Sequence, residues 1–423
     1  MAEADRTRVG AVDGAWLRMD SEHNPMVITT VLVLDGAVPH ARVEALLRER
    51  LLVHPRFRQR VASSAVPFAP SHWEIDPCFD LATHLHHVAL PAPADEAALR
   101  DLVSDLASMP LDRARPLWQI HHVEGLAQGS VLVARIHHAV GDGVALVELL
   151  LTLTDEGASG DPEVVGVVPR RARGPFDLAR QVGAQAIALG RMLLLPADPP
   201  SGLKGTLGVR KRVAWSRPVD LARLKAAASV RSAKLNDVLM AAVAGALRSY
   251  LGARGTLPEA MRALVPVYVR GHESTGDLGN HFGLVFVPLP IAESSVEGRV
   301  VAAKAAMDDL KRSPDALVAL GVLAAMGVAS EEIERIGIDV FTRKASLLVT
   351  NVPGPSGELH LAGRRLAALL VWAPVSGDVG FCASLLSYAG TLRLGVSADG
   401  GLVPDPEAVV AAFEAEVDEI CTS

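Results

Sequence analysis

Hydrophobic positions along the 423 residues follow two rhythms. Thr29–Leu34 is a continuous run, Thr-Thr-Val-Leu-Val-Leu, closed by Asp35-Gly36, and predicts a buried strand. His40–Val53 instead sets Val43, Leu46, Leu47 and Leu51 at helical intervals, and Glu96–Met109 repeats this with Leu99, Leu102, Val103 and Leu106. Leu117–Val123 and Val131–Ile136 predict two more strands, and Gly143–Leu153 a helix. The pattern restarts with helices over Leu221–Val230 and Asn236–Leu251, then strands over Ala263–Val269 and Gly283–Pro288. Helices over Val296–Arg312 and Ala316–Ala329 follow, then strands over Ala345–Thr350, within Leu359–Ser387 and over Thr391–Ser397. Glu407–Ile420 predicts a closing amphipathic helix. Both halves mix strands and helices, so the class is α/β.

Asp155–Leu203 interrupts the pattern. It holds Gly and Pro clusters, the basic residues Arg170, Arg171 and Arg173, one apolar stretch, Val182–Leu195, and closing prolines at 196, 199 and 200. The expected division is an N-terminal lobe over 1–168, a linker over 169–205 and a C-terminal lobe over 206–423.

Composition narrows the class. Half the residues are hydrophobic and 21% are charged, which excludes a disordered chain. The 41 Lys and Arg against 48 Asp and Glu give a net charge of -7, without the basic excess of a nucleic-acid binder. Aromatics are only 4%, so the core must be aliphatic. Cys78, Cys382 and Cys421 are far apart and form no CxxC, which argues against a disulfide scaffold and for a reducing cytosol. The N-terminus lacks the pattern of a secretory signal. The longest uncharged apolar run, Ala316–Ala329, is shorter than the ~20 residues of a spanning helix. A cytoplasmic protein, soluble or peripheral at a membrane, is expected.

The chemistry concentrates in His137-His138-Ala139-Val140-Gly141-Asp142-Gly143. This segment leaves a predicted strand and enters a predicted helix. Adjacent histidines on extended backbone point to opposite faces, so one can look into a cleft while the other fixes the loop. A neutral imidazole can take a proton from a hydroxyl, thiol or amine. Asp142 stands where a carboxylate caps a helix, with Arg135 or Arg270 as candidate partners. Gly141 and Gly143 suggest unusual backbone angles. A general base contributes about 10²–10⁴-fold, so an oxyanion donor is expected elsewhere. The pairs His86-His87 and His121-His122 read as structural. No metal site is expected, because adjacent histidines are poor joint ligands and no HExxH occurs. The chain has no G-x-S-x-G elbow, no P-loop and no G-x-G-x-x-G after a strand.

His-His-x-x-x-Asp-Gly resembles the signature of the CoA-dependent acyltransferase superfamily. Pro116-Leu117-Trp118, Asn236-Asp237, Leu278-Gly279-Asn280, Thr350-Asn351-Val352-Pro353-Gly354-Pro355, Ser387-Tyr388 and Val403-Pro404-Asp405 follow in the order of the bacterial wax ester synthase/diacylglycerol acyltransferase family. The resemblance runs from about Asp13 to about Ile420. It departs at Val27, where many relatives carry histidine, and around Cys382 in Asp378–Tyr388.

The resemblance implies a two-lobed chloramphenicol-acetyltransferase-like fold, with mixed sheets flanked by helices and an active-site tunnel between the lobes. It implies transfer of a fatty acyl group from acyl-CoA to diacylglycerol or a long-chain alcohol, giving triacylglycerol or wax ester plus CoA. No covalent acyl-enzyme and no cofactor are expected; acyl-CoA is a co-substrate. His138 would be the general base, His137 would support it, Asp142 and Gly143 would shape the loop, and Asn280 would stabilise the oxyanion or the substrate. Pro116, Leu117, Trp118, Asn236, Asp237, Asn351, Pro353 and Gly354 would line the substrate path. Local readings stand beside these: Trp118 as a core residue, Asn236-Asp237 as a helix cap, and Asn351–Pro355 as a turn.

Lipid substrates imply contact with a membrane or lipid droplet. Pro169–Leu195, basic then apolar, is a candidate interfacial segment, with a packed linker helix as the other reading. Competing functions are a condensation-type domain of the same superfamily and a non-catalytic lipid-binding relative.

Overall fold

Nearly continuous apolar runs, buried on both faces, form the central strands of two mixed sheets. The computed structural model describes residues 6–62, 71–126, 129–157, 166–167, 175–269, 280, 282–327 and 329–422. The first sheet runs, in spatial order, His360–Leu361, Arg364–Trp372, Val27–Leu34, Ser130–His137, Trp118–Glu124 and Leu85–Ala89. Its last two strands are parallel and its other pairs antiparallel. The second sheet runs Val219–Asp220, Thr391–Asp399, Phe381–Tyr388, Leu347–Pro353, Met261–Val269 and Phe282–Leu289. Lys211–Trp215 joins it beside Thr391–Asp399, and Gly166–Val167 beside Met261–Val269. A small third sheet joins Thr7–Arg8, His72–Ile75 and Gln59–Ala62.

Helices cover these sheets: α1 (Ala11–Met19), α2 (His40–Leu46), α3 (Glu96–Ala107), α4 (Gly143–Leu151), α5 (Pro175–Leu194), α6 (Leu221–Val230), α7 (Leu235–Ala253), α8 (Val296–Arg312), α9 (Asp315–Met326), α10 (Glu331–Thr342) and α11 (Pro406–Thr422). The mixed α/β class follows from the pattern as expected. The expected helix over His40–Val53 is divided: α2 gives way at Leu47–Leu51 to a wider turn. The segment Asn351-Val352-Pro353 is strand, and the chain turns only after Pro353.

The lobes do not divide cleanly at 169–205. Arg364–Trp372 comes from the C-terminal half yet pairs with Val27–Leu34 in the first sheet, while Gly166–Val167 pairs in the second. Tyr388 Oη fixes this crossover by accepting from Leu359 N–H at 2.9 Å and donating to Leu366 O at 3.0 Å. A run such as Leu369-Leu370-Val371-Trp372 identifies a buried strand, but carries no information about which sheet will take it.

Helix α1 docks the first lobe on the second. A Cβ at Gly327, just past α9, would run into the carbonyl oxygen of Ala11, so only glycine permits this approach. Arg18 donates to Met326 O at 3.1 Å and pairs with the buried Glu334 of α10. Gly327→Ala is expected to lower stability by about 1–3 kcal/mol, read from denaturant unfolding. Gly321→Ala, whose Cβ would meet open space, is expected to raise stability by about 0.5–1 kcal/mol. Equal effects of the two substitutions would remove the docking argument.

Candidate active site

The strand Ser130–His137 is buried along its whole length and delivers His137 and His138 to the junction of the lobes. Both backbones are pinned there. His137 N–H donates to Leu117 O at 3.0 Å and His138 N–H to Met26 O at 2.7 Å. Pro116 and Leu117 are buried behind this contact.

The two imidazoles have different surroundings. His137 Nδ1 accepts from Ala139 N–H at 3.0 Å, which places the ring proton on Nε2, 3.7 Å from Asp20 Oδ2. Burial alone would raise the Asp20 carboxyl. His137, the Met26 N–H at 2.8 Å and Arg113 outweigh that and hold it below its ordinary range. His137 is therefore a loop-fixing group with both nitrogens directed into the protein.

His138 packs in a three-ring cluster. Trp16 of α1 stacks on it at 4.4 Å and 18°, Phe282 stands 5.5 Å away at a tilt, and Trp16 and Phe282 are themselves 5.8 Å apart. Its Nδ1 has no hydrogen-bond partner among the described residues. Burial pushes this imidazole down from 6.5 to about 4, reinforced by His137 and opposed by its own carbonyl and Asn280. The ring is thus neutral at pH 7 and able to accept a proton. A positive charge arising on it would face the Trp16 π-system, an interaction worth about 0.5–2 kcal/mol.

Asn280 behaves differently from the expectation for it. Its Nδ2 donates to Asp13 Oδ1 at 2.8 Å and to His138 O at 3.0 Å. Both amide hydrogens are spent, and both partners are acceptors, so the amide cannot be turned around. Asn280 ties the His138 backbone to α1 and has no hydrogen left for an oxyanion in this arrangement.

Asp142 is buried and caps α4 as expected, accepting from Ala145 N–H at 2.9 Å. Arg135 is not its partner; that guanidinium donates to Gln119 Oε1 at 2.9 Å and to Met109 O. Arg270, Leu278 and Gly279 lie outside the described residues. Gly141 and Gly143 do not take positive φ, contrary to the expectation of unusual backbone. A Cβ at Gly143 would meet open space, so its smallness leaves room beside the loop.

The remaining candidates are mostly structural. Trp118 is buried in the first core, donates Nε1–H to Phe57 O at 2.9 Å and stacks on His84. Asp237 accepts from Lys234 N–H at 2.8 Å and so closes the start of α7. Asn236 Oδ1 accepts from Asn351 Nδ2 at 2.6 Å, linking α7 to the strand Leu347–Pro353. Gly354 follows Pro353 where a Cβ would strike Ser387 O, which makes it a close-approach glycine. No contact joins Trp118, Asn236, Asp237, Asn351, Pro353 or Gly354 to His138 among the described residues.

The sequence reading missed α1, which supplies Asp13, Trp16, Met19 and, just beyond its end, Asp20. Its signal was a tryptophan in an aromatic-poor chain, Trp16-Leu17, flanked by Val12 and Met19 at helical spacing.

Two clefts flank the histidines. One, of about 440 Å³ including space open to solvent, is apolar. It is lined by Met19, Leu264, Leu284, four residues of α9 (Ala319, Val322, Leu323, Met326), Ile338, Phe341 and Thr342 of α10, and Ser376. Met19 is one helical turn from Trp16, and Leu284 is the next same-face residue after Phe282. The cleft therefore begins one step beyond the rings that hold His138. The other, about 410 Å³, is lined by Asn24, Pro25, Val27, Thr29, Lys211, Trp372 and neighbours. Val27 is the residue paired with His137.

Two family descriptions match this chain: the wax ester synthase/diacylglycerol acyltransferase catalytic domain over residues 9–165, and the C-terminal domain of the same family over 278–421. The chain belongs to this family. A protein of Mycobacterium tuberculosis named probable diacylglycerol O-acyltransferase tgs1 is 28% identical, covering 95% of this chain and 93% of its own. Another from that organism, named probable diacylglycerol O-acyltransferase tgs2, is 29% identical over 96% and 97%. The solved wax ester synthase/diacylglycerol acyltransferase of Marinobacter aquaeolei shares the fold at TM-score 0.73, 22% identity and 98% coverage of both chains. The first condensation domain of the calcium-dependent antibiotic synthetase shares it at TM-score 0.64 and 17% identity, over 100% and 96%. The two-lobed fold expected from the family motifs is thus the fold observed.

A base held neutral by burial has a distinctive pH signature. In this family member kcat/KM is expected to stay level from pH 7 down to about 5 and to fall with an apparent pKa near 4. The unfolded chain takes up this proton nearer 6.5, so His138 also makes stability fall as pH drops from 6.5 toward 4. An acid limb centred at 6.5 would mean that the ring is solvated in the free enzyme.

Proposed function

We propose that this protein is an O-acyltransferase that moves a fatty acyl group from acyl-CoA to diacylglycerol or a long-chain alcohol, releasing CoA. One observation carries the reading: a buried, neutral imidazole, His138, packs against Trp16 and Phe282, one helical turn and one strand step from the Met19 and Leu284 that line an apolar cleft. His138 accepts the acceptor's hydroxyl proton while its oxygen bonds to the thioester carbonyl carbon. The C–S bond then breaks and the imidazolium returns the proton to the CoA sulfur. No group on the protein is acylated. The gain comes from orienting two substrates and removing one proton.

His137, Asn280 and Leu117 act as positioning groups, since their contacts hold the loop and backbone that carry the His138 ring. The apolar cleft suits the acyl chain, since its lining is almost wholly aliphatic and aromatic. The second cleft, with Asn24, Thr29 and Lys211 on its walls, suits a polar headgroup or the CoA side of the reaction.

Lipid contact is a further part of the reading. Among the described residues no helix is long and apolar enough to cross a membrane. Helix α10 is apolar on two sides: Ile338 and Phe341 line the cleft, while Ile333, Ile336 and Val340 are 64%, 59% and 45% exposed. Ile187, Leu193 and Leu194 of α5 are exposed as well. These residues suit peripheral insertion at a membrane or droplet surface. The basic cluster Arg170, Arg171 and Arg173 lies outside the described residues.

Purified protein given palmitoyl-CoA with dioleoylglycerol, hexadecanol or hexadecylamine is expected to release thiol and form ester with the first two. The amine arm tests the condensation-type reading, since the fold is shared with such domains. His138→Gln, which keeps bulk without basicity, is expected to lose about 10²–10⁴-fold in rate while retaining its melting temperature. Near-normal turnover would overturn the base assignment, and lipid binding without any thiol release would favour a non-catalytic relative.

The triple variant Ile333→Glu, Ile336→Glu, Val340→Glu is expected to lose co-flotation with phosphatidylcholine vesicles containing dioleoylglycerol. It should keep its melting temperature and its rate on a water-soluble acceptor. Unchanged flotation would remove this face from the lipid-contact reading.

A further inference from the structure

Three histidines from separate segments meet at the far end of the first sheet. The parallel register of Leu85–Ala89 and Trp118–Glu124 sets His86 beside His121 and His87 beside His122. Neighbouring residues on a strand face opposite sides, so each pair sends one member to each face. His87 and His122 share the face covered by α2, whose first residue is His40. The rings of His40 and His87 stack at 4.4 Å, and those of His87 and His122 at 5.2 Å. One nitrogen from each of the three lies within 4.8 Å of the others.

The hydrogen bonds select which nitrogens remain. His122 Nε2 lies 3.1 Å from Ser130 Oγ, and His87 Nε2 lies 3.1 Å from Glu124 Oε1. That leaves Nδ1 on His87, while His122 Nδ1 and His40 Nδ1 share a 3.1 Å hydrogen bond, whose proton a metal ion would replace. Two imidazoles bound to one tetrahedral ion at 2.0–2.1 Å have nitrogens about 3.3 Å apart. His87 is exposed, and one of its nitrogens already lies within 4.8 Å of a nitrogen on each of the other two. A carboxylate or hydroxyl on the outer nitrogen is the arrangement that orients metal-bound imidazoles.

From this geometry we propose that His40, His87 and His122 form a site for one divalent transition-metal ion of the zinc, cobalt or nickel class, oriented by Glu124 and Ser130. Neutral imidazoles suit these ions. The ion would staple α2 to the strand at the sheet edge. It stands apart from the reaction centre: His122 pairs with Leu132, five residues before His137 on the next strand, a distance of about 17 Å.

The test uses the untagged full-length chain, stripped with chelator and titrated with Co²⁺. The wild type is expected to bind one equivalent with the intense visible bands of a tetrahedral site, displaced by Zn²⁺, which should also raise its melting temperature. His40→Ala and His87→Ala, at a half-buried and an exposed position, should abolish the bands and the thermal shift but leave acyl transfer unchanged. Glu124→Gln should weaken binding about 10–100-fold, and His86→Ala, on the opposite face, should not weaken it. Absence of saturable one-to-one binding in the wild type, or its retention in both His40→Ala and His87→Ala, would overturn the proposal.

Discussion

Helix α1 is held from both lobes at once, and the reaction centre is built on it. Its first turn presses Ala11 O against Gly327, and its last turn commits Arg18 to Glu334 and to Met326 O. Between these anchors it presents Asp13 to Asn280 and Trp16 to His138, and just beyond its end Asp20 reaches toward His137. A buried carboxylate or guanidinium without its partner costs several kcal/mol, so these contacts resist separation. The relative position of the lobes and the orientation of both histidines are therefore a single constraint.

Desolvation is the main influence on His138. Burial against Trp16 and Phe282 keeps the ring neutral at pH 7 but also lowers its basicity, and the Trp16 face offsets some of that penalty when a proton arrives. The same two rings mark the entrance to the apolar cleft, since Met19 and Leu284 continue from them. An acyl chain in that cleft would bring its carbonyl carbon near the imidazole without any charged group having to move.

The first sheet carries different tasks at its two ends. At one end the strand Ser130–His137 runs into the catalytic loop; at the other, histidines gather beneath α2. A sheet of paired strands is stiff along its length, so both ends keep their geometry without direct contact between them. The exposed apolar residues lie at neither end but on α10 and α5, with no protein cover among the described residues.

The chain's own pattern determined the α/β class, most strands and helices to within a few residues, the loop that carries the two histidines and the cap at Asp142. Those features depend on local periodicity and on side chains acting on their own backbone. For Asn280, Trp118 and Gly354 a motif fixes residue types but not where their hydrogen bonds and close contacts end, and those were visible only in the structure. Separation in sequence hid the rest: α1 against α9 and α10, the crossing of Arg364–Trp372 into the first sheet, and the meeting of His40, His87 and His122. Adjacent histidines on a strand point to opposite faces, yet parallel register brought one member of each pair together. Only the tertiary structure decides such meetings, because they depend on which surfaces are buried against each other, a property of the whole chain and not of any segment.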